Sequence, residues 1–403
     1  MTETWLAIVG MGEDGLDGLA PATRVIVEEA ELLVGSERLL ALVPEGTAER
    51  LAWPTPFDAL PAKIEAARGR AVVVLATGDP MHYGIGPIIL RHVPKEEVRI
   101  LPHLSAISLA AARLGWSLSE FETLSLHGRD AALIDPHIAP GVHILALTAG
   151  DVTVREVARR LIDRGYEASP MVVLEHMGGP AERIITFTAR SLPDTRFADL
   201  STLAITCRPM PGAALLPRVP GLPDEAFHHD GQITKREVRA ITLAALAPYP
   251  QALLWDVGAG SGSIAIEWMR AVRGARVMLF ERNPTRLGLI AENAVKLGAP
   301  SLEVVAGDFI ETHVGRERPD ALFLGGGVSD AGMAEAAWAA LKPGGRFVAN
   351  AVTVEGEARL ADFHAFHGGE LLRIDISHAE PIGRQHRAMR PRYGVTQWRA
   401  VKP

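Results

Sequence analysis

The chain holds a single cysteine, Cys207, among 403 residues, so no intramolecular disulfide can brace it. That suits a reducing compartment. An excess of basic charge is also missing: 41 Lys and Arg stand against 48 Asp and Glu, for a net charge of −7 and a pI of about 6.1. Surplus Lys and Arg are the usual footprint of nucleic-acid binding, so no nucleic-acid partner is expected. No run approaches the ~18–20 apolar residues that span a bilayer, so no membrane partner is expected either. The opening MTETWLAIVGMG has no basic n-region and only a short apolar run. A secretory signal is therefore not expected, and the location predicted is cytoplasmic. No metal-ligand spacing stands out, and no metal is expected. What remains is 48% hydrophobic and 22% charged, an ordinary globular balance over a length that suits two or three domains.

Arg208 to Gln232 reads RPMPGAALLPRVPGLPDEAFHHDGQ, with five prolines and no sustained periodicity. Such a stretch predicts a semi-rigid linker. It divides the chain into a domain over 1–207, a linker over 208–232 and a domain over 233–403. The first domain alternates β-branched runs at 5–9, 71–76, 98–101, 143–147, 171–174, 184–187 and 202–206 with helical patterns at 22–30, 59–68, 105–114 and 154–164. Helices thin out among the later strands, which predicts two subdomains, α/β first and then more antiparallel. The second domain alternates regularly: strands at 252–257, 276–280, 302–305, 321–324 and 346–349, with helices at 235–246, 264–270, 284–297, 331–341 and 355–366. Two last strands, 370–376 and 394–400, have no helix-length segment between them and predict an antiparallel hairpin closing the sheet. The expected fold class is α/β throughout.

The most informative stretch is Leu253-Leu254-Trp255-Asp256-Val257-Gly258-Ala259-Gly260-Ser261-Gly262-Ser263. An apolar strand ends in an acid, and a turn with glycine at every second place leads into a helix. Glycines let the backbone approach a ligand, and the helix presents free N–H groups to it. Asp256 favours a cationic ligand and disfavours a pyrophosphate. Glu281 ends the next strand, where a carboxylate meets ribose hydroxyls. Gly307-Asp308 follows the third strand, within reach of an adenine amino group, and Leu341-Lys342-Pro343-Gly344-Gly345-Arg346 is a helix stop, a turn and a strand start. Together these predict S-adenosylmethionine (SAM), with a nicotinamide dehydrogenase as runner-up. After the fourth strand stands Phe323-Leu324-Gly325-Gly326-Gly327 in place of the Asn/Asp-Pro-Pro-aromatic motif of many nitrogen methyltransferases, which points to a carbon acceptor. Four arginines, Arg384, Arg387, Arg390 and Arg392, crowd the segment from Pro381 to Arg392 with His386 and no acid. Either this is a solvated basic loop, or Arg384 and Arg387 clamp an acidic small molecule.

DVGAGSGS, Ile233–Ala240 (ITKREVRA) and LKPGGR resemble the decarboxylating precorrin methyltransferase domain of cobalamin biosynthesis. The resemblance implies a class I SAM-methyltransferase (Rossmann-like) sheet with a terminal antiparallel hairpin. It implies SAM contacts from Thr234, Gly258, Ala259, Gly260, Ser261 and Gly262, with Glu281 at the ribose and Gly307-Asp308 near adenine. Phe309-Ile310 stands where that family often has Ala-Pro. The first domain resembles the tetrapyrrole methylases of the precorrin type, through Leu75-Ala76-Thr77-Gly78-Asp79-Pro80-Met81-His82-Tyr83-Gly84, Leu104-Ser105-Ala106-Ile107-Ser108 and Leu124-Ser125-Leu126-His127-Gly128-Arg129. The turn at Gly78-Asp79, with Tyr83, and the small Ser105 and Ala106 are the expected contacts for a second SAM, and His127 and Arg129 for substrate carboxylates. Gly10-Met11-Gly12-Glu13-Asp14 replaces the family's Gly-x-Gly-Pro-Gly, and Pro102-His103-Leu104-Ser105-Ala106 replaces Pro-Gly-x-Ser-Ser. The order of the two domains resembles a fused family that methylates carbons 5 and 15 of precorrin-6Y and removes the ring C acetate carboxyl, giving precorrin-8X. It implies a small-molecule tetrapyrrole partner, one SAM site per domain and homo-oligomers. The alternative functions are a fused RNA-modifying SAM methyltransferase and a SAM-sensing module without turnover.

Overall fold

A computed structural model describes residues 4–403. The chain divides into two units. One comprises the chain up to Ala131 with Pro140–Ala214, the other Ala132–Ala139 with Leu215–Pro403.

The first unit carries two sheets. In the first, β1 (Leu6–Met11), β2 (Leu32–Gly35), β3 (Glu49–Ala52), β4 (Val72–Thr77) and β5 (Val98–Leu101) lie in the order β3-β2-β4-β1-β5, all parallel. β1 and β4 are nearly continuous apolar runs, as a parallel strand covered on both faces requires. Leu6, Ile8, Val72 and Val74 pack on one face, and Val9, Met11, Val73 and Leu75 on the other. In the second sheet, β6 (Glu122–Ser125), β7 (His143–Thr148), β8 (Pro170–Glu175), β9 (Arg183–Thr188) and β10 (Ser201–Thr206) lie in the order β6-β7-β10-β8-β9. Only β6 and β7 pair in parallel there. The expected shift from α/β to antiparallel pairing is observed.

The second unit holds one seven-stranded sheet. Its strands are β11 (Leu253–Val257), β12 (Arg276–Glu281), β13 (Glu303–Ala306), β14 (Ala321–Leu324), β15 (Arg346–Ala351) and β16 (Glu370–Ile374), followed after a separate ribbon by β19. The ribbon is β17 (Ser377–Ile382) with β18 (His386–Pro391), and β19 is Val395–Val401. The order β13-β12-β11-β14-β15-β19-β16 reverses between β11 and β14, and ligands of open parallel sheets bind at such a reversal, beyond the carboxyl ends of the strands. Strands β16 and β19 pair antiparallel, as expected, and β19 also pairs with β15. The stretch between them continues the pairing outward as the exposed β17–β18 ribbon.

The proline-rich stretch is held along much of its length. Arg208 N–H donates to Ser169 Oγ at 2.9 Å and Met210 N–H to the Gly165 carbonyl at 2.8 Å, within the first unit. Leu216, Leu222 and Phe227 are buried with Ile266 and Leu297 in the second. There, fully buried Arg239 donates to Glu267 at 2.5 Å and to Asp224 at 3.0 Å, and Glu267 accepts the Gly221 and Leu222 N–H groups. A buried guanidinium thus finds compensation for its lost hydration. Among the described residues no helix is long and apolar enough to cross a membrane.

Candidate functional site

In the second unit the expected cofactor residues from β11, β12 and β13 gather at one sheet edge. Gly258, Gly260 and Gly262 all have left-handed φ, +70°, +59° and +75°, a region where an L side chain is strained. A Cβ on Gly258 would stand 3.0 Å from the backbone of Gly326, so the loops after β11 and β14 touch as bare backbone. Glu281 ends β12 and is buried. Its Oε2 accepts the Gly260 N–H and its Oε1 the Asn283 N–H, each at 2.9 Å. The carboxylate is fixed beside the glycine turn, with lone pairs left over for further donors.

Asp256 lies beneath this turn, 1% exposed. Its Oδ2 accepts the Ala265 N–H from the first turn of the following helix at 3.2 Å, while its Oδ1 has no partner. Burial pushes its carboxyl up to about 7, the Ala265 amide opposes this, and the charge of Glu281 adds to it. The Ser261 hydroxyl is likewise buried without a partner. Orphaned polar groups of this kind cost stability unless a ligand completes them. Asn293, not singled out in the sequence, holds the turn: its side chain donates to the Ser261 carbonyl at 3.0 Å and to that of His228 at 2.8 Å. Thr234 is half-buried just before the helix Arg236–Leu246. Gln232, two residues earlier, would put its carbonyl oxygen 3.8 Å from a Cβ on Gly260. Asp308 follows β13, caps a short helix through the Ile310 N–H at 2.9 Å, and pairs with Arg282 at 3.5 Å. The donor set, a cradle without side chains over an unpaired carboxyl beside a second acid, fits SAM, whose methionine end carries cationic groups and whose ribose carries two hydroxyls.

Arg384 and Arg387 are not part of this cluster. They lie in the β17–β18 ribbon, exposed and without an ion pair among the described residues. Arg390 and Arg392 instead flank Glu380, at 3.4 and 3.2 Å.

In the first unit, seven expected residues, Gly78, Asp79, Tyr83, Ser105, Ala106, His127 and Arg129, line one cavity of about 480 Å³, a size typical of small-molecule sites. Gly78, at φ +62°, lies so near the Leu104–Ser105 backbone that a Cβ would meet the Leu104 carbonyl oxygen at 3.0 Å. Asp79 closes its own turn by accepting the Met81 N–H at 2.8 Å. Tyr83 takes left-handed φ, +59°, and its hydroxyl donates to the Thr123 carbonyl at 2.9 Å. The Ser105 hydroxyl caps the helix Ala106–Leu114 through the Ser108 N–H at 3.1 Å, so it works for the fold as well as leaving room. His127 Nδ1 sits 3.3 Å from the Thr148 carbonyl oxygen, and Arg129 has no ion pair among the described residues. The sequence did not single out His176, which also lines the cavity and meets Glu13 at 3.1 Å. The signal was a histidine directly after a strand and before Met177-Gly178-Gly179.

Known proteins divide along the same lines. Residues 6–193 match the family "Tetrapyrrole (Corrin/Porphyrin) Methylases" and residues 225–402 the family "Precorrin methyltransferase domain". Over 399 residues the chain is 45% identical to the Precorrin-6Y C(5,15)-methyltransferase [decarboxylating] of Sinorhizobium sp, covering 99% of this chain and 96% of that protein. Two separate proteins of Salmonella typhimurium each match a part. The cobalt-precorrin-7 C(5)-methyltransferase is 35% identical over 44% of this chain and 88% of its own length. The cobalt-precorrin-6B C(15)-methyltransferase (decarboxylating) is 32% identical over 40% of this chain and 87% of its own length.

Proposed function

The chain belongs to the precorrin-6Y C(5,15)-methyltransferase (decarboxylating) family, and from that premise we propose a division of labour: the first unit methylates carbon 5, and the second methylates carbon 15 with loss of the ring C acetate carboxyl as carbon dioxide. The protein is a methyltransferase of cobalamin biosynthesis acting on a tetrapyrrole. The RNA-modifying alternative finds no support in these relatives. We read it as a cytoplasmic enzyme that assembles into homo-oligomers.

Each unit takes one SAM. In the second, Asp256, Ser261 and the glycine turn hold the methionine end, Glu281 the ribose, and Gly307-Asp308 the adenine side, with Thr234 closing over the turn. In the first, Gly78, Asp79, Tyr83, Ser105 and Ala106 form the cofactor wall. When bound, SAM supplies an activated methyl on sulfur. The protein's task is alignment, worth up to ~7–11 kcal/mol for a well-oriented pair. His127 and Arg129 meet substrate carboxylates in the first unit. Arg384 and Arg387 do so for the second, since unpaired guanidinium groups bind carboxylates through two parallel N–H bonds.

The observation that carries this reading is the partnerless buried Oδ1 of Asp256 under three left-handed glycines. Gly258→Ala tests it. The new Cβ meets Gly326 and forces a strained φ, at a cost of roughly 1–2 kcal/mol for the backbone alone. Calorimetry should find two SAM equivalents per wild-type chain and one per variant chain. A wild type that binds one, or a variant that still binds two, overturns the two-site proposal.

A further inference from the structure

Replacing the hydrogen of a bridging carbon by methyl releases a proton. One C–C bond forms. One S–C bond breaks with its electron pair going to sulfur. One C–H bond breaks with its pair entering the conjugated ring system, and the proton needs an acceptor. We propose that His176 is that acceptor in the first unit, and that Glu13 is its positioning residue; this rests on the assignment of carbon 5 to that unit.

The geometry is that of a carboxylate–histidine pair facing a cavity. His176 and Glu13 both line the cavity that gathers the expected cofactor residues. Glu13 Oε2 lies 3.1 Å from His176 Nδ1, so the carboxylate accepts the Nδ1 hydrogen and leaves Nε2 as the ring's acceptor. A negative charge then stands beside the ring as it becomes an imidazolium, the arrangement that orients a histidine base. Glu13 is itself fixed. Arg38 pairs with its other oxygen, and Arg38 Nη2 donates to Thr77 Oγ1 at 2.7 Å, at the end of β4.

The backbone is built around the pair. His176 sits at φ +47°, a left-handed conformation uncommon for a side-chain-bearing residue and concentrated at functional sites. Gly179 closes the turn through its N–H to the His176 carbonyl at 3.0 Å, and a Cβ there would fall 2.6 Å from the Glu13 Cβ. Glu13 stands where the Gly-x-Gly-Pro-Gly pattern has proline, which has no carboxylate to offer. The other cavity histidines are engaged differently: His127 contacts a backbone carbonyl, and His82 stacks on Tyr83 at 5.0 Å.

The full-length enzyme is assayed with precorrin-6Y and carbon-13-methyl SAM, following label at carbon 5 by NMR. His176→Gly suits the left-handed backbone, so it should fold and keep two SAM equivalents. Its labelling rate at carbon 5 should fall ~10²–10⁴-fold, the usual contribution of a positioned base, and added imidazole should restore part of it. Glu13→Gln keeps the ring but removes the charge, so it should lower kcat at carbon 5 with KM unchanged. A His176→Gly rate equal to wild type, a loss that imidazole does not relieve, or a Glu13→Gln effect on KM alone overturns the proposal. A wild type that puts no label at carbon 5 in the first place would instead overturn the function proposed above.

Discussion

Asp256→Asn gives the sharpest test of the second unit, because it should relieve the ligand-free fold at pH 8 while weakening the site. In the folded protein burial holds this carboxyl up to about 7. Unfolded, it ionises near its ordinary value of about 3.9. Between these values the unfolded chain has released a proton that the folded chain keeps, so stability falls as pH rises through the window and is flat on either side. At about 1.36 kcal/mol per unit the full swing is about 4 kcal/mol, of which about 3 kcal/mol lies between pH 5 and pH 8. Asparagine does not titrate, so its variant lacks this slope, though a buried amide N–H₂ left without an acceptor returns about 1–3 kcal/mol of cost at every pH. The assay is urea unfolding of the ligand-free protein at pH 5 and pH 8. It is followed by tryptophan fluorescence, since Trp255, Trp268, Trp338 and Trp398 lie in the second unit. With a slope of about 2 kcal/mol per molar urea, the wild-type midpoint should drop by about 1.5 M between the two pH values relative to the variant. SAM binding near pH 6 should release a proton from the wild type, and the variant should bind one equivalent fewer. Parallel pH dependences in the two proteins, or unimpaired binding by the variant, would refute the placement of an uncompensated carboxyl in the cofactor site.

Arg384→Ala with Arg387→Ala removes two exposed, unpaired guanidinium groups, so the thermal midpoint should hold within the ~0.5 kcal/mol usual for surface changes. KM for the tetrapyrrole should rise roughly 10-fold or more at the carbon 15 step, since hydrogen bonds to charged groups are each worth ~1.5–3 kcal/mol; an unchanged KM argues for a solvated ribbon. Glu267→Gln removes one of the two carboxylates paired with fully buried Arg239, leaving Asp224, and should cost about 1.5–3 kcal/mol in unfolding of the second unit, measured by urea melts.

Much of the candidate site in the second unit could be read because its chemistry is local in sequence. Gly258, Gly260 and Gly262 need left-handed backbone, and Asp256, Glu281 and Asp308 each lie within two residues of a strand's carboxyl end. Cofactor class follows from those few positions. Strands β2 and β3 escaped notice: Leu32-Leu33-Val34 runs on from the apolar helical stretch before it, and β3 is part-exposed with no alternating buried face to give a period. The β17–β18 ribbon is exposed along nearly its whole length and has no buried face to imprint alternation on its sequence. His176 and Glu13 are 163 positions apart, and only the packing of two sheets brings them together. No spacing rule reaches that far.

The position of β19 bears on how the second unit comes to exist. It lies between β15 and β16, bonded to both, yet it is made after either of them. While the ribosome is still working toward residue 395, two strands wait with open edges for a neighbour not yet synthesised. Closure of that sheet is therefore a late event, and a frameshift just upstream of Val395 would delete a middle plank of the sheet rather than trim its border.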